Sequence, residues 1–259
     1  MKKMLLGLTL LASGVLFAQS PFDGTWMTKL DTAKFPTKPD KYSLNNNMYE
    51  CLTCVPKVAV KADGTDQKVT GHPYYDTVAV KVVNANSVEI IQKKDGKVMY
   101  TDTATVSPDG NALSDKFTDN SGTQPVTGEA TSMRVAPGAA GSHAMSGAWR
   151  MEKVNSISNN GLTVTYQGTP DGLKMSDPNG NSYDAKFDGK DYPIQGDPGH
   201  TMVSLKRIAD NTIEETDKRD GKVVGVSHLT VSKDGKSIQV EYTDKQHGTK
   251  TTFSMEKQS

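Results

Sequence analysis

Alternation of apolar and polar residues is the main regularity of this chain. In Ile238-Gln239-Val240-Glu241-Tyr242-Thr243 every second residue is apolar. A period of two is typical of a β-strand that has one face on a core and the other in water. Asp-Gly dipeptides, which suit tight hairpin turns, separate several such segments. The pattern therefore predicts an antiparallel meander.

The same series of strands and turns occurs twice, about 125 residues apart. Lys94-Asp95-Gly96-Lys97-Val98, for example, corresponds to Arg219-Asp220-Gly221-Lys222-Val223. Predicted strands cover residues 74–83, 87–92, 97–107, 112–118 and 126–135, and their counterparts cover 200–208, 212–216, 222–232, 237–243 and 249–256. Because a meander must bury its apolar face and its free edges, we expect an all-β fold with two tandem antiparallel up-and-down β-barrels from an internal duplication. One large sheet shared by both halves is the alternative.

The two copies differ in their front halves. Residues 30–56 contain several prolines and three consecutive asparagines, Asn45 to Asn47, and are predicted to form a loop. The second copy instead has Asp171-Gly172 and Asn179-Gly180, which predict two or three short strands on hairpin turns.

The N-terminal segment has the organisation of a secretory signal peptide. Lys2 and Lys3 precede an apolar run over residues 4–17, and Ala18 is a small residue suited to cleavage. The expected location is therefore periplasmic or extracellular, with no transmembrane span after signal cleavage.

The same landmarks give the predicted domain bounds. Residues 1–18 are assigned to the signal peptide and 19–135 to the first barrel unit. The flexible Ala-, Gly- and Ser-rich stretch 136–144 is the linker, and 145–259 forms the second barrel unit.

Charge balance excludes one class of partner. The chain has 30 basic and 30 acidic residues, and without Lys2 and Lys3 the numbers become 28 and 30, a net charge of −2. Nucleic-acid binding needs a basic surplus, so no nucleic-acid partner is expected. Oligomeric state is left open.

Each half opens with a Gly-x-Trp tripeptide, Gly24-Thr25-Trp26 and Gly147-Ala148-Trp149. This motif resembles the first strand of the lipocalin and calycin group, in which the indole closes the base of an eight-stranded barrel. The resemblance implies a cavity for a small ligand, with Trp26 and Trp149 at its base. It also implies an arginine on the last strand, which the sequence pattern does not identify here.

The only two cysteines, Cys51 and Cys54, are predicted to form a structural disulfide, because an exported chain meets an oxidising compartment. Redox chemistry and metal binding are the alternatives for this pair. The five histidines show no ligand spacing, so neither a metal nor a cofactor is expected.

Three cations are candidates for contact with an anionic head group inside a barrel. Val203, Leu205 and Arg207 share one face of a predicted strand, and Lys206 lies on the other with Lys81 as its counterpart. If the first face points inward, Arg207 lies inside the barrel; if the second face points inward, Lys206 does. The alternative is a cation that extends to the barrel rim.

The sequence carries no catalytic motif, and we expect a secreted or periplasmic lipocalin-like protein that binds a small apolar or anionic molecule without transforming it. A structural or interaction module of the cell envelope, with filled barrels, is the first alternative. An enzyme whose polar residues converge only in the fold is the second.

Overall fold

The computed structural model describes residues 20–259, so the predicted signal peptide lies outside the described residues. The twenty strands of this part form two ten-stranded antiparallel sheets, each curled into a nearly closed barrel, and one short helix lies outside the sheets. The expected fold class is confirmed. No helix within residues 20–259 has the length and apolar character needed to cross a membrane.

The strands of the first half are β1 (Gly24–Lys34), β2 (Asp40–Asn45), β3 (Met48–Cys51), β4 (Val58–Lys61), β5 (Gln67–Lys68), β6 (Thr77–Asn84), β7 (Ser87–Lys94), β8 (Lys97–Val106), β9 (Ala112–Asp119) and β10 (Val126–Pro137). Those of the second half are β11 (Gly147–Ile157), β12 (Thr163–Gly168), β13 (Gly172–Ser176), β14 (Ser182–Lys186), β15 (Tyr192–Pro193), β16 (Met202–Ala209), β17 (Thr212–Arg219), β18 (Lys222–Val231), β19 (Ser237–Asp244) and β20 (Thr249–Lys257), with helix α1 (Asn159–Leu162) after β11.

The five repeated strands of each half form where the alternation predicts them, as β6 to β10 and β16 to β20. Their hairpins depend on left-handed turn residues. Asp95 and Asp220 have φ angles of 50° and 49°, and the glycines that follow them have φ angles of 79° and 72°. Two consecutive positive φ angles define the tight turn that matches the twist of paired strands.

The predicted loop over residues 30–56 was wrong in part, because it contains β2 and β3. Asn46 and Asn47 have φ angles of 48° and 60° and join these strands directly. Asparagine tolerates this conformation better than most residues, so the asparagine run forms a hairpin turn.

The first strand of each half lies in the other half's sheet. Strand β1 pairs with β12 and β20, whereas β11 pairs with β10 and β2. The spatial orders are β4-β3-β2-β11-β10-β9-β8-β7-β6-β5 for what we call the first barrel and β14-β13-β12-β1-β20-β19-β18-β17-β16-β15 for the second barrel.

This exchange corrects the predicted domain bounds of 19–135 and 145–259. The first barrel is continuous in sequence from β2 to β11, and the second barrel consists of β1 together with β12 to β20. The predicted linker at 136–144 lies in the connection between β10 and β11, which are paired neighbours. Because the connection is short, β11 stays beside β10. Strand β1 instead pairs with strands of the second half.

Each Gly-x-Trp indole is fully packed at the closed end of its barrel. Trp26 and Trp149 are 0% and 1% exposed, and each indole N–H donates to a backbone carbonyl four residues earlier at 2.8 Å. A cation from the last strand of the repeat covers each ring: the Arg134 guanidinium lies 3.9 Å from the Trp149 ring centroid, and the Lys257 Nζ lies 5.2 Å from that of Trp26.

Engineered disulfides distinguish the exchanged arrangement from tandem units. Thr25 and Thr165 face each other across β1 and β12 with their hydroxyl oxygens 2.9 Å apart. We expect the T25C/T165C variant to form this cross-link, because paired Cα atoms lie within disulfide range. Peptide mapping without reductant measures it, alongside the native pair.

The matched control is T25C/K41C. Ala148, which holds the position before Trp149 that Thr25 holds before Trp26, pairs with Lys41. In tandem units Thr25 would take that place. A cross-link in this control and none in T25C/T165C would contradict the exchange.

Candidate functional site

The first barrel holds an open cavity of about 280 Å³, and Trp149 is not among the residues that line it. Its polar lining consists of Tyr42, Tyr49, Tyr75, Gln92, Tyr100, Asp102 and Asp115. Its remaining lining consists of Cys51, Cys54, Val58, Val78, Ile90, Phe117, Ala130 and Met151. An apolar and aromatic wall with a few converging polar groups is the usual composition of a small-molecule site.

Two neighbouring strands place the carboxylates in the cavity. Asp102 on β8 is in phase with Ala104, which is buried, and Asp115 on β9 is in phase with Leu113. Because Ala104 pairs with Asp115, Asp102 and Asp115 occupy diagonal positions on one face of the sheet. Diagonal residues are close enough for their charges to interact.

Burial without a cation changes how these carboxyl groups titrate. Burial, reinforced by the nearby Asp115 charge, raises the pKa of Asp102 to about 8. Burial also raises the pKa of Asp115 to about 6, with Asp40 adding to the effect. Asp102 Oδ1 is buried and has no hydrogen-bond partner in the described part of the chain. A buried carboxylate oxygen without a partner is costly in its charged form.

Aromatic rings line the cavity on both sides of this pair. Tyr42 and Tyr49 stack with centroids 6.3 Å apart, and Tyr100 stacks on Phe117 at 5.9 Å. Burial raises the pKa of Tyr75 to about 12, so its phenol is neutral at physiological pH. Aromatic rings of this kind can stack on a flat apolar ligand.

The open end of the cavity faces loops of the second barrel. An adjoining cleft of about 370 Å³ shares Tyr75, Gln92 and Tyr100 with the cavity, and Asp197 and Pro198 lie on its other side. The loop that carries Tyr75 is fixed there, because the neighbouring Tyr74 hydroxyl accepts a hydrogen bond of 2.8 Å from Arg219. The cavity therefore adjoins a cleft that residues of both barrels line.

The second barrel holds its own acidic pair at different positions. Glu215 and Asp217 lie two residues apart on β17, and Tyr183 donates to Glu215 at 2.7 Å. Burial raises the pKa of both carboxyl groups, with the neighbouring Asp217 charge adding to the effect on Glu215. At the repeat spacing their counterparts in the first barrel are Ile90 and Gln92. The two interiors have therefore diverged.

The predicted cationic residues lie outside the cavity. Lys81, Lys206 and Arg207 are exposed; Lys206 lies 3.9 Å from Glu214, and Arg207 lies over the Phe187 ring at 4.6 Å. Arg207 does share a strand face with buried Val203 and Leu205, but it sits beyond the buried part of β16. None of the three lines the first-barrel cavity.

Trp26 and Trp149 pack in the two cores and are not among the residues that line the cavity. The disulfide between Cys51 and Cys54 is formed, with a Cα–Cα distance of 5.4 Å. Both cysteines line the cavity, so the bridge ties the loop after β3 to the cavity wall.

Sequence reasoning missed Asp102 and Asp115. Their position in the strand alternation could have identified them. Each occupies an inward-facing position of its strand, and other inward-facing residues, such as Val106 and Leu113, are apolar. A charged residue in that register indicates a function or a hidden partner.

Within residues 20–259, no group of three or more His, Cys, Asp or Glu side chains is placed to hold a metal ion. Comparison with protein-family models, curated protein sequences and solved structures gave no match for this chain.

Replacement of Asp102 by asparagine tests the electrostatics of the cavity. As pH rises from about 4 to about 8, the unfolded Asp102 carboxyl ionises while the folded one stays protonated, so the wild-type protein loses stability. We expect D102N to be more stable than wild type by roughly 1–3 kcal/mol at about pH 8.5, with almost no difference near pH 4. Chemical denaturation at both pH values measures this.

Asp95→Asn, a change on an exposed turn, is the matched control and leaves this pH dependence intact. Equal destabilisation by D102N at both pH values would show that Asp102 is not a buried, uncompensated carboxyl.

Proposed function

We propose that this protein is a secreted or periplasmic, lipocalin-like binding protein that holds a small, partly apolar molecule in the first barrel without transforming it. The observation that carries the proposal is the open, aromatic-lined cavity of about 280 Å³. This volume lies just under the roughly 300–1,000 Å³ of typical ligand sites, which favours a ligand of one or two rings.

The gradient of packing along the first barrel supports a binding role. Its closed end is filled by Trp149, Val80, Val88 and Leu113, all at most 2% exposed. Its other end is lined by half-buried side chains such as Tyr100 and opens to the cleft. A barrel that is packed at one end and hollow at the other resembles the small ligand-holding barrels.

The capped tryptophan supports the lipocalin-like part of the proposal. The group resembled by the Gly-x-Trp motifs carries an arginine on its last strand, and Arg134 on β10, the last strand of the first repeat, covers Trp149. Its guanidinium also donates to the Ala144 and Ser146 carbonyls at 2.6 and 2.7 Å. This network fixes the base of the first barrel below the cavity.

A structural role is the second candidate, and it fits the second barrel best. Leu173, Leu205, Ile213 and Ile238 are 0% exposed in its interior. In this proposal the second barrel supports the loops around the cleft beside the cavity, and ligand binding is the task of the first barrel.

Filling the cavity tests the binding role. Ala130 is 4% exposed, lines the cavity and pairs with Asp115 across β10 and β9. We expect A130L to weaken binding by at least about tenfold, a loss of about 1.4 kcal/mol, because the added side chain occupies ligand volume. Saturation-transfer NMR with a panel of neutral, anionic and cationic one-ring compounds identifies binders, and calorimetry gives their affinities.

Ala136→Leu adds the same bulk to an exposed position of the same strand and leaves affinity unchanged. Thermal unfolding checks that both variants fold, since overpacking costs about 1–3 kcal/mol. Failure of every panel compound to bind, or equal binding by A130L, would contradict the proposal.

A further inference from the structure

We propose that the ligand of the first barrel is a small organic cation, a protonated amine attached to an aromatic or apolar group. This inference rests on the proposed binding function and specifies the chemical class of the ligand. It departs from the apolar or anionic molecule expected from the sequence.

The charge of the cavity wall is the first argument. Among the described residues that line it, the ionic side chains are Asp102 and Asp115, and no lysine, arginine or histidine is present. An anionic ligand would face two carboxyl groups and no cation, an arrangement that costs free energy through desolvation and repulsion. A cationic head group would instead supply the charge that the wall lacks.

The unsatisfied carboxylate oxygen is the second argument. Asp102 Oδ1 is buried, belongs to the cavity lining and has no hydrogen-bond partner in residues 20–259. Buried polar atoms are almost always paired. An ammonium group has three N–H donors, so one amine would satisfy this oxygen and still have donors for other cavity oxygens, such as those of Asp115 or Gln92.

Aromatic walls are the third argument. The Tyr42–Tyr49 and Tyr100–Phe117 pairs present ring surfaces to the same space as the carboxylates. Ring faces attract cations, and the attraction is larger where water is excluded. The same rings stack on an aromatic ligand body, so both parts of an arylalkylamine find matching surfaces.

The cleft beside the cavity carries the same sign of charge. The adjoining cleft is lined by Asp119 and Asp197, and its described lining contains no lysine, arginine or histidine. Two cations near the cleft are engaged by other groups: Arg219 by Tyr74 at 2.8 Å and by Thr201 at 2.9 Å, and Lys94 by the Pro73 carbonyl. An acidic funnel raises the local concentration of cations and their association rate.

Proton linkage follows from this arrangement. The titratable groups that face Asp102 are Asp115, Tyr42, Tyr49 and Tyr100. Because the pKa of Asp102 is raised to about 8 in the empty cavity, binding of an ammonium ion at neutral pH releases the Asp102 proton to solvent and leaves an ammonium–carboxylate pair. Affinity for an amine therefore rises between about pH 6 and pH 8.

The test compares three probes of similar shape: 2-phenylethylamine, 2-phenylethanol and 3-phenylpropionate. We expect isothermal titration calorimetry of the full chain at pH 7.5 to show the amine binding at least about tenfold more tightly than the alcohol and the carboxylate binding most weakly. Amine affinity increases from pH 6 to pH 8, and its binding heat depends on buffer ionisation because a proton is released.

Asp102→Asn and Asp115→Asn each reduce amine affinity by at least about tenfold and leave alcohol affinity unchanged, whereas the surface variant Asp95→Asn changes neither. Thermal unfolding confirms that all three variants fold. Alcohol affinity equal to that of the amine, or a preference for the carboxylate, would overturn the cationic assignment and leave the binding function standing. Failure of all three probes would overturn the assignment and count against the binding function as well.

Discussion

Closure of the two sheets is the constraint on which the rest of the structure depends. A curled meander leaves strand edges that must be paired or covered. Here each Gly-x-Trp strand lies between two strands of the opposite half: β11 lies between β2 and β10, and β1 lies between β12 and β20. Trp149 and Trp26 then fill the closed ends under Arg134 and Lys257. Because β1 leaves its own half to join the second barrel, the first barrel is bounded on both sides in sequence by segments of the second. The cleft beside the cavity is lined by residues of both barrels.

The two barrels share one scaffold but differ in the side chains that line their interiors. The repeated turns preserve the hairpins, whereas the inward positions differ: Asp102 and Asp115 of the first barrel correspond to Ser227 and Val240 of the second. Both barrels bury an acidic pair, but only the pair in the first barrel lines the cavity of about 280 Å³. A single scaffold thus presents two interiors with different charge placement, and each contains one buried carboxylate oxygen without a partner among the described residues, on Asp102 and on Asp217.

The strands were predictable because alternation and Asp-Gly turns are local signals, and they placed β6 to β10 and β16 to β20 within a few residues. The exchange of β1 and β11 was not predictable, since both carry Gly-x-Trp and either could complete either sheet. Asn46 and Asn47 were read as loop because an asparagine run also suits a tight hairpin. Lys81, Lys206 and Arg207 were predicted to contact a ligand because they are cations on predicted strands, but all three are exposed. Asp102 was overlooked because it stands among threonines, and only the register of β8 shows that it points inward.

Our central proposal is that the Asp102 and Asp115 carboxyl groups, which have no cationic partner in the cavity wall, bind a cationic ligand. Its most direct test is a carbon-13 NMR titration of labelled aspartate side chains, with and without 2-phenylethylamine. The account predicts that the Asp102 carboxyl titrates near pH 8 in the empty protein, and that its pKa falls by at least about one unit when the amine is bound. An Asp102 carboxyl that titrates near its ordinary value of 3.8 in the empty protein, or one whose pKa the amine leaves unchanged, would contradict it.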